Sequence, residues 1–280
     1  MLKQRIITAL LMLAVLLPAM FYPSIEPFAV LAVLMVGAAA WEWARLNGCS
    51  EWSSRVLGCA LGLAVGIFWW GGGLERSWAS IWWAASVGWL LLSAVMLRRG
   101  VAGWVAWPVL LRLVGGFALL ACAWLALVQA RIVGLGFLLS VLTLVWGADI
   151  AAYAGGRAFG RRKLAPTLSP GKSWEGVFSG VLGVCLLGWF WIWLDQQFPS
   201  ATPSLFSQLW AAGPVWAVGG FVFLAGISVV GDLLESLVKR GAGMKDSSQL
   251  LPGHGGVLDR VDALLPVLPV AMLIASTLKP

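Results

Sequence analysis

Apolar residues run along this chain in long blocks near 4–22, 26–44, 56–73, 78–97, 109–129, 132–155, 174–194, 213–238 and 261–278. Crossing a hydrocarbon core about 30 Å thick takes about 20 helical residues, so each block reads as a spanning helix. Period-2 alternation is absent. That argues against a barrel, and helices are then the remaining way to satisfy backbone groups in lipid. The pattern predicts an all-α polytopic membrane bundle of about nine helices in one continuous domain. Residues 1–131 would be a scaffold of about five helices, and residues 132–280 a catalytic region of about four. The 78–111 stretch has the least sharp boundaries.

Composition agrees. The chain is 60% hydrophobic and 11% charged, far from the balance of a soluble domain. The net charge of +7 is a topology signal. With the N-terminus in the cytoplasm, the loops place all but Arg76, Arg131 and Lys279 of the 19 Lys and Arg on the cytoplasmic side. This positive-inside bias predicts an N-in, C-out arrangement. The basic residues are spread over short loops, which argues against nucleic-acid binding. Lys3 and Arg5 precede an apolar run with no small-x-small cleavage site, so the first helix is expected to stay uncleaved. The four cysteines are scattered without a CxxC pair and read as small apolar fillers.

Polar residues are unevenly placed. Residues 232–262 hold the single histidine, His254, and five of the 12 carboxylates. Charge at the centre of a span costs roughly 2.5–3.5 kcal/mol on insertion scales, so the cluster points to chemistry. Asp232, Glu235, Ser236 and Lys239 fall at i, i+3, i+4 and i+7, one stripe of a helix. Asp259 and Asp262 share a face where the last block begins, beside Arg260. Between them, Pro252-Gly253-His254-Gly255-Gly256 suits a tight turn whose amides face an anion. Lys245 and Asp246 precede this turn. Glu42 and Arg45, three apart at the end of the second block, read as an interfacial ion pair.

A second cluster spans 149–176. Asp149 comes late in an apolar run and should face the bundle interior. Arg157, Arg161, Arg162 and Lys163 follow in a loop. Ser169-Pro170-Gly171-Lys172-Ser173-Trp174-Glu175 precedes the seventh block. With Ser169 as N-cap and Pro170 at N1, a helix N-terminus beside Lys172 would cradle phosphate. The spacing is not that of a P-loop. Carboxylates on facing helices suit Mg²⁺, which commonly bridges protein acids to substrate phosphates. Together these parts suggest phosphoryl or nucleotidyl transfer at a membrane surface.

The run Ser236-x-Val238-Lys239-Arg240-x4-Lys245-Asp246-x-Ser248-x2-Leu251-Pro252-x-His254-Gly255-Gly256-Val257-x-Asp259-Arg260-Val261-Asp262 resembles, without departure, the signature of phosphatidate cytidylyltransferases, or CDP-diacylglycerol synthases. The stretch from Asp149 to Gly176 resembles a second motif of that family, through Tyr153, Gly156, Phe159, Gly160, Ser169, Pro170, Lys172 and Glu175. The resemblance implies a membrane enzyme joining CTP and phosphatidic acid into CDP-diacylglycerol and pyrophosphate. It implies Mg²⁺, with K⁺ as a second cation, and a homodimer. Asp232 and Asp259 match the family's metal-binding acids, and Ser236 and Lys239 match residues beside metal and phosphate.

On this basis Asp232, Asp259 and Asp262 are the expected metal ligands. Ser236, Lys239, Lys245, Asp246 and His254 are the expected catalytic residues. Lys172, Ser169, Arg240, Arg260, Gly255 and Gly256 are expected at phosphate, with Asp149, Glu175 and Glu235 as further candidates. The expected location is a bacterial inner membrane with the site facing the cytoplasm. The rival reading, a transporter using intramembrane Asp and Lys, would place its charges near the bilayer midplane.

Overall fold

In a computed structural model, residues 2–199 and 202–278 are described. Lys279 of the charge tally and the Lys3 side chain lie outside the described residues. The chain folds into α1 (Leu2–Phe21), α2 (Glu26–Leu46), α3 (Glu51–Trp70), α4 (Ala79–Val105), α5 (Val109–Val133), α6 (Leu135–Phe159), β1 (Lys163–Ala165), β2 (Ser169–Ser173), α7 (Trp174–Gln197), α8 (Leu205–Ala211), α9 (Pro214–Gly241), α10 (Leu258–Val261) and α11 (Leu264–Thr277). Eight of the described helices are long and apolar enough to cross a membrane, so the protein is an all-α polytopic membrane protein. The ninth expected block corresponds to α11, only 14 residues long, with the single turn of α10 ahead of it. Asp262 and Ala263 keep right-handed backbone between the two. Pro266 has no N–H to offer the Asp262 carbonyl, and this interrupts the ladder.

Two details refine the boundaries. The fourth block was expected to end at 97, whereas α4 is assigned to Val105. Gly100, at φ 65° and ψ −163°, breaks the helix there, so residues 101–105 form a separate turn. Among the described residues, all-α structure gives way to the β1–β2 hairpin, paired Lys163 to Ser173 and Ala165 to Ser169, and to an isolated bridge between Leu251 and Gly255.

Helices approach closely where side chains are small, as expected without a hydrophobic drive between helices in lipid. Gly176 and Gly180 of α7 sit so near α6 that a Cβ there would meet the Ala152 and Ala148 carbonyls at 2.9 and 3.0 Å. α9 is among the most enclosed of the long helices and packs against α4, α7, α8 and α11. The start of α1, the ends of α2, α6 and α9, and the starts of α7 and α10 gather at one end of the bundle. Thr8 of α1 donates to the Pro252 carbonyl at 2.9 Å. All the ion pairs that involve the 149–262 acids form at this end.

Candidate active site

The stripe expected on α9 forms. Ser236 Oγ donates to Asp232 Oδ1 at 3.3 Å, and Lys239 Nζ, one turn further on, pairs with Glu235. The same ammonium donates to Asp259 Oδ1 at 2.6 Å. Asp232 lies on this face of α9, and Asp259, from α10, is joined to the same face through Lys239. The Lys239 side chain is only 12% exposed, which strengthens both contacts by excluding water. Glu235 is buried as well, and its Oε1 has no partner.

Lys172 reaches the stripe from the hairpin, its Nζ 2.5 Å from Asp232 Oδ2. It does so from a strand and not from a helix N-terminus. The expected cap is corrected here: Ser169 and Pro170 belong to β2, and Ser173 caps α7, accepting from the Gly176 amide at 3.2 Å. Pairing with Lys163–Ala165 draws residues 169–173 into extended backbone, which leaves Ser173 as the serine at the helix start. Glu175, in the first turn of α7, accepts from the amides of Arg161 and Arg162 at 3.0 and 3.1 Å and from Arg162 Nε at 3.3 Å. It therefore fixes the corner between α6 and β1. Arg240 bridges the Leu168 carbonyl, at 3.3 Å, and the Met244 carbonyl, at 3.4 Å, joining the hairpin to the end of α9.

The glycine turn is built as expected, but its anions belong to the protein itself. Gly253 and Gly255 take φ +77° and +81°, and Leu251 and Gly255 close the turn through a 2.8 Å hydrogen bond. Asp259 Oδ2 accepts from the Gly256 amide at 2.8 Å, the Ser247 amide at 2.9 Å and the Ser247 hydroxyl at 2.9 Å. Burial pushes the Asp259 carboxyl up, but Lys239 and the Gly256 and Ser247 amides outweigh it and hold the group below its ordinary value. The amides of Val257 and Leu258 donate to Glu42 of α2, at 2.9 and 2.8 Å. The hydroxyls of Ser248 and Ser247 reach the same carboxylate at 2.6 and 3.1 Å.

Glu42 is the residue that sequence reasoning misplaced. It is fully buried, whereas Arg45, its expected partner, pairs with Glu51 at 3.4 Å and stacks over Trp41. The signal was available: past Glu26 at its first position, Glu42 is the one acid in the second apolar block, and such acids face the protein interior. The first five helices are therefore not pure scaffold.

Other expected residues spread outward. Lys245 and Asp246 are exposed and line a separate open pocket with Trp41, Arg45 and Gln249. Arg260 is exposed. The His254 amide donates to the Leu251 carbonyl at 2.8 Å, while its buried Nδ1 has no partner. Asp262 Oδ1 accepts from the Ala263 amide at 2.7 Å. Asp262 lies within electrostatic reach of Asp232, Asp149 and Lys239, and Asp149 within reach of Asp232 and Lys172.

Asp149, Asp232, Glu235, Asp259 and Asp262 therefore gather around two ammonium groups, Lys172 and Lys239. This oxygen-rich, negatively charged set fits a hard cation in donor type. Among the described residues no three His, Cys, Asp or Glu side chains converge to hold a metal. An ion here would need outside oxygens to complete its shell, the usual situation for Mg²⁺ held by one or two carboxylates plus substrate phosphates.

Comparison with known proteins shows the family. The model of the cytidylyltransferase family matches residues 3–278. A phosphatidate cytidylyltransferase of Pseudomonas aeruginosa is 40% identical over 277 residues, covering 96% of this chain and 95% of that protein. One from Haemophilus influenzae is 36% identical, with 96% of each chain covered. A shorter match, 38% identical over 141 residues, joins half of this chain to 49% of a phosphatidate cytidylyltransferase of Thermotoga maritima. With matched residues running almost from end to end, this chain belongs to the cytidylyltransferase family.

Proposed function

We propose that this chain is a membrane nucleotidyltransferase that transfers CMP from CTP to phosphatidic acid, giving CDP-diacylglycerol and pyrophosphate. The observation that carries the reading is that Asp232 pairs with Lys172 and Asp259 with Lys239, a residue on the same α9 stripe as Asp232. Full-length similarity to proteins named for this activity supports it. The charges gather at one end of the helices and not midway, which goes against the transporter reading.

A lipid phosphate oxygen attacks the α-phosphorus of CTP in line, and pyrophosphate leaves. The phosphate monoester is already anionic near neutral pH, so no strong general base is needed. Catalysis rests on positioning and charge neutralisation. Lys172 and Lys239, now neutralised by protein carboxylates, turn to phosphate oxygens when the substrates enter. Ser236 steadies Asp232 during this exchange. Arg240 holds the hairpin against α9, so that Lys172 stays over the stripe. Asp232 and Asp259, with Asp262 and Asp149 behind them, would hold Mg²⁺, which when bound adds positive charge against the triphosphate. K⁺ as a second cation and a homodimeric state follow from the family resemblance and belong to the proposal.

Phosphatidic acid keeps its tails in the leaflet with its head group at the interface, and CTP comes from the aqueous side. A site at the helix ends serves both. The positive-inside distribution supports a cytoplasmic orientation in a bacterial inner membrane. The test uses purified protein in detergent with labelled CTP, phosphatidic acid and Mg²⁺. Label is expected to move into the organic-extractable phase with release of pyrophosphate, and EDTA is expected to abolish transfer. Folded protein that moves no label under these conditions refutes the reading.

A further inference from the structure

A fully buried carboxylate in a membrane helix is expensive unless every lone pair is used. Glu42 uses them. Its two oxygens accept from the amides of Val257 and Leu258 and from the hydroxyls of Ser247 and Ser248, donors that lie 205 to 216 positions further along the chain. Ser247, Ser248 and Val257 belong to the segment between α9 and α10, which has no helix or strand of its own, and Leu258 opens α10. The Ser247 amide also donates to Asp259 Oδ2, and the one Ser247 hydroxyl proton is shared between Glu42 Oε2 and Asp259 Oδ2. A continuous chain of contacts thus runs from α2 through Ser247 to Asp259, and from Asp259 to Lys239. Gly256 lies against the same chain: a Cβ there would collide with both the Ser247 hydroxyl and the Glu42 carboxylate.

We infer that Glu42 is a positioning residue for the transfer reaction, pinning the 244–258 segment from the far half of the chain so that Asp259 and Lys239 hold their alignment. This rests on the functional reading above, but the pinning itself is separable from it. Lys239 alone does not fix Asp259, because the segment leading to it from α9 has no regular structure of its own. Two of the amides that would otherwise fix it, those of Val257 and Leu258, are satisfied by Glu42. Lys239 keeps its second partner, Glu235, on its own helix. Loss of Glu42 therefore shifts Asp259 relative to Lys239 while α9 stays intact. Such a shift lowers turnover more than it weakens lipid binding, because misplacement by about 1 Å costs on the order of 100-fold in rate.

Glu42→Gln and Glu42→Ala, in the full chain in detergent, separate these effects. Gln keeps one acceptor oxygen, so it retains part of the network, whereas Ala removes it all. Turnover should fall in the order wild type, Gln, Ala, by about 10-fold and about 100-fold, with KM for phosphatidic acid within about twofold. Hydrogen exchange should speed up at the amides of Val257 and Leu258 and stay unchanged along α9. If Glu42→Ala fails to fold, the paired change Ser247→Ala with Ser248→Ala carries the same expectation at about 10-fold. Unchanged exchange at Val257 and Leu258, or turnover within twofold of wild type in both Glu42 variants, overturns the inference. Wild-type protein that transfers no label, yet shows the expected exchange, refutes the functional reading and leaves the pinning standing.

Discussion

The two halves of the charged region hold their carboxylates in different ways. At the 244–262 turn, Asp259 and Glu42 share the Ser247 hydroxyl and each accepts from three further donors, most of them backbone amides or buried hydroxyls fixed in place. At the hairpin, Asp232 accepts from only two, a lysine ammonium on a strand and a serine hydroxyl. The first arrangement is rigid because its donors cannot leave without breaking the turn. The second is exchangeable, since an ammonium on a flexible stem can swing to a phosphate at little cost. An enzyme that must admit a triphosphate next to its own acids needs both. Asp259 keeps its amide donors when its lysine turns to phosphate, whereas Asp232 is left with Ser236.

The largest effect tests the residue that joins the two halves. Lys239→Met leaves Glu235 and Asp259 buried without a counter-charge, and breaking such a pair costs about 3–5 kcal/mol. Both a lowered unfolding temperature in detergent and loss of label transfer are expected. Asp232→Asn should instead cost about 10²–10³-fold in turnover with little change in unfolding temperature, because only Lys172 and Ser236 depend on it. Equal thermal losses in the two variants would erase the distinction between rigid and exchangeable acids.

A smaller effect sharpens the rigid side. Gly256→Ala forces a methyl into the space shared by Ser247 and Glu42, and overpacking of this kind costs about 1–3 kcal/mol. Activity measured at rising temperature should fall off earlier than in wild type. The smallest effect belongs to Glu175→Gln, which weakens the contacts to the Arg161 and Arg162 amides and to Arg162 Nε. Turnover should drop only a few-fold. A loss as deep as that of Asp232→Asn would move Glu175 from the hairpin corner into the site itself.

Block length alone settled that the chain crosses a membrane repeatedly, because spanning depends on a local, one-dimensional property. The cost of charge in lipid singled out 149–262 as the region to search, and helical periodicity placed Asp232, Glu235, Ser236 and Lys239 on one face. What tertiary structure decided concerns partners. Ser169 read as a helix cap because its local sequence allows it; strand pairing with Lys163–Ala165 overrode that preference. Glu42 read as the partner of Arg45 because the two are neighbours on one helix, yet its donors lie more than two hundred residues away. The glycine turn read as a cradle for a ligand's phosphate, and two protein carboxylates fill it first. Sequence reveals which groups are costly to bury; only the folded chain reveals which groups offset that cost, because hydrogen bonds form between neighbours in space.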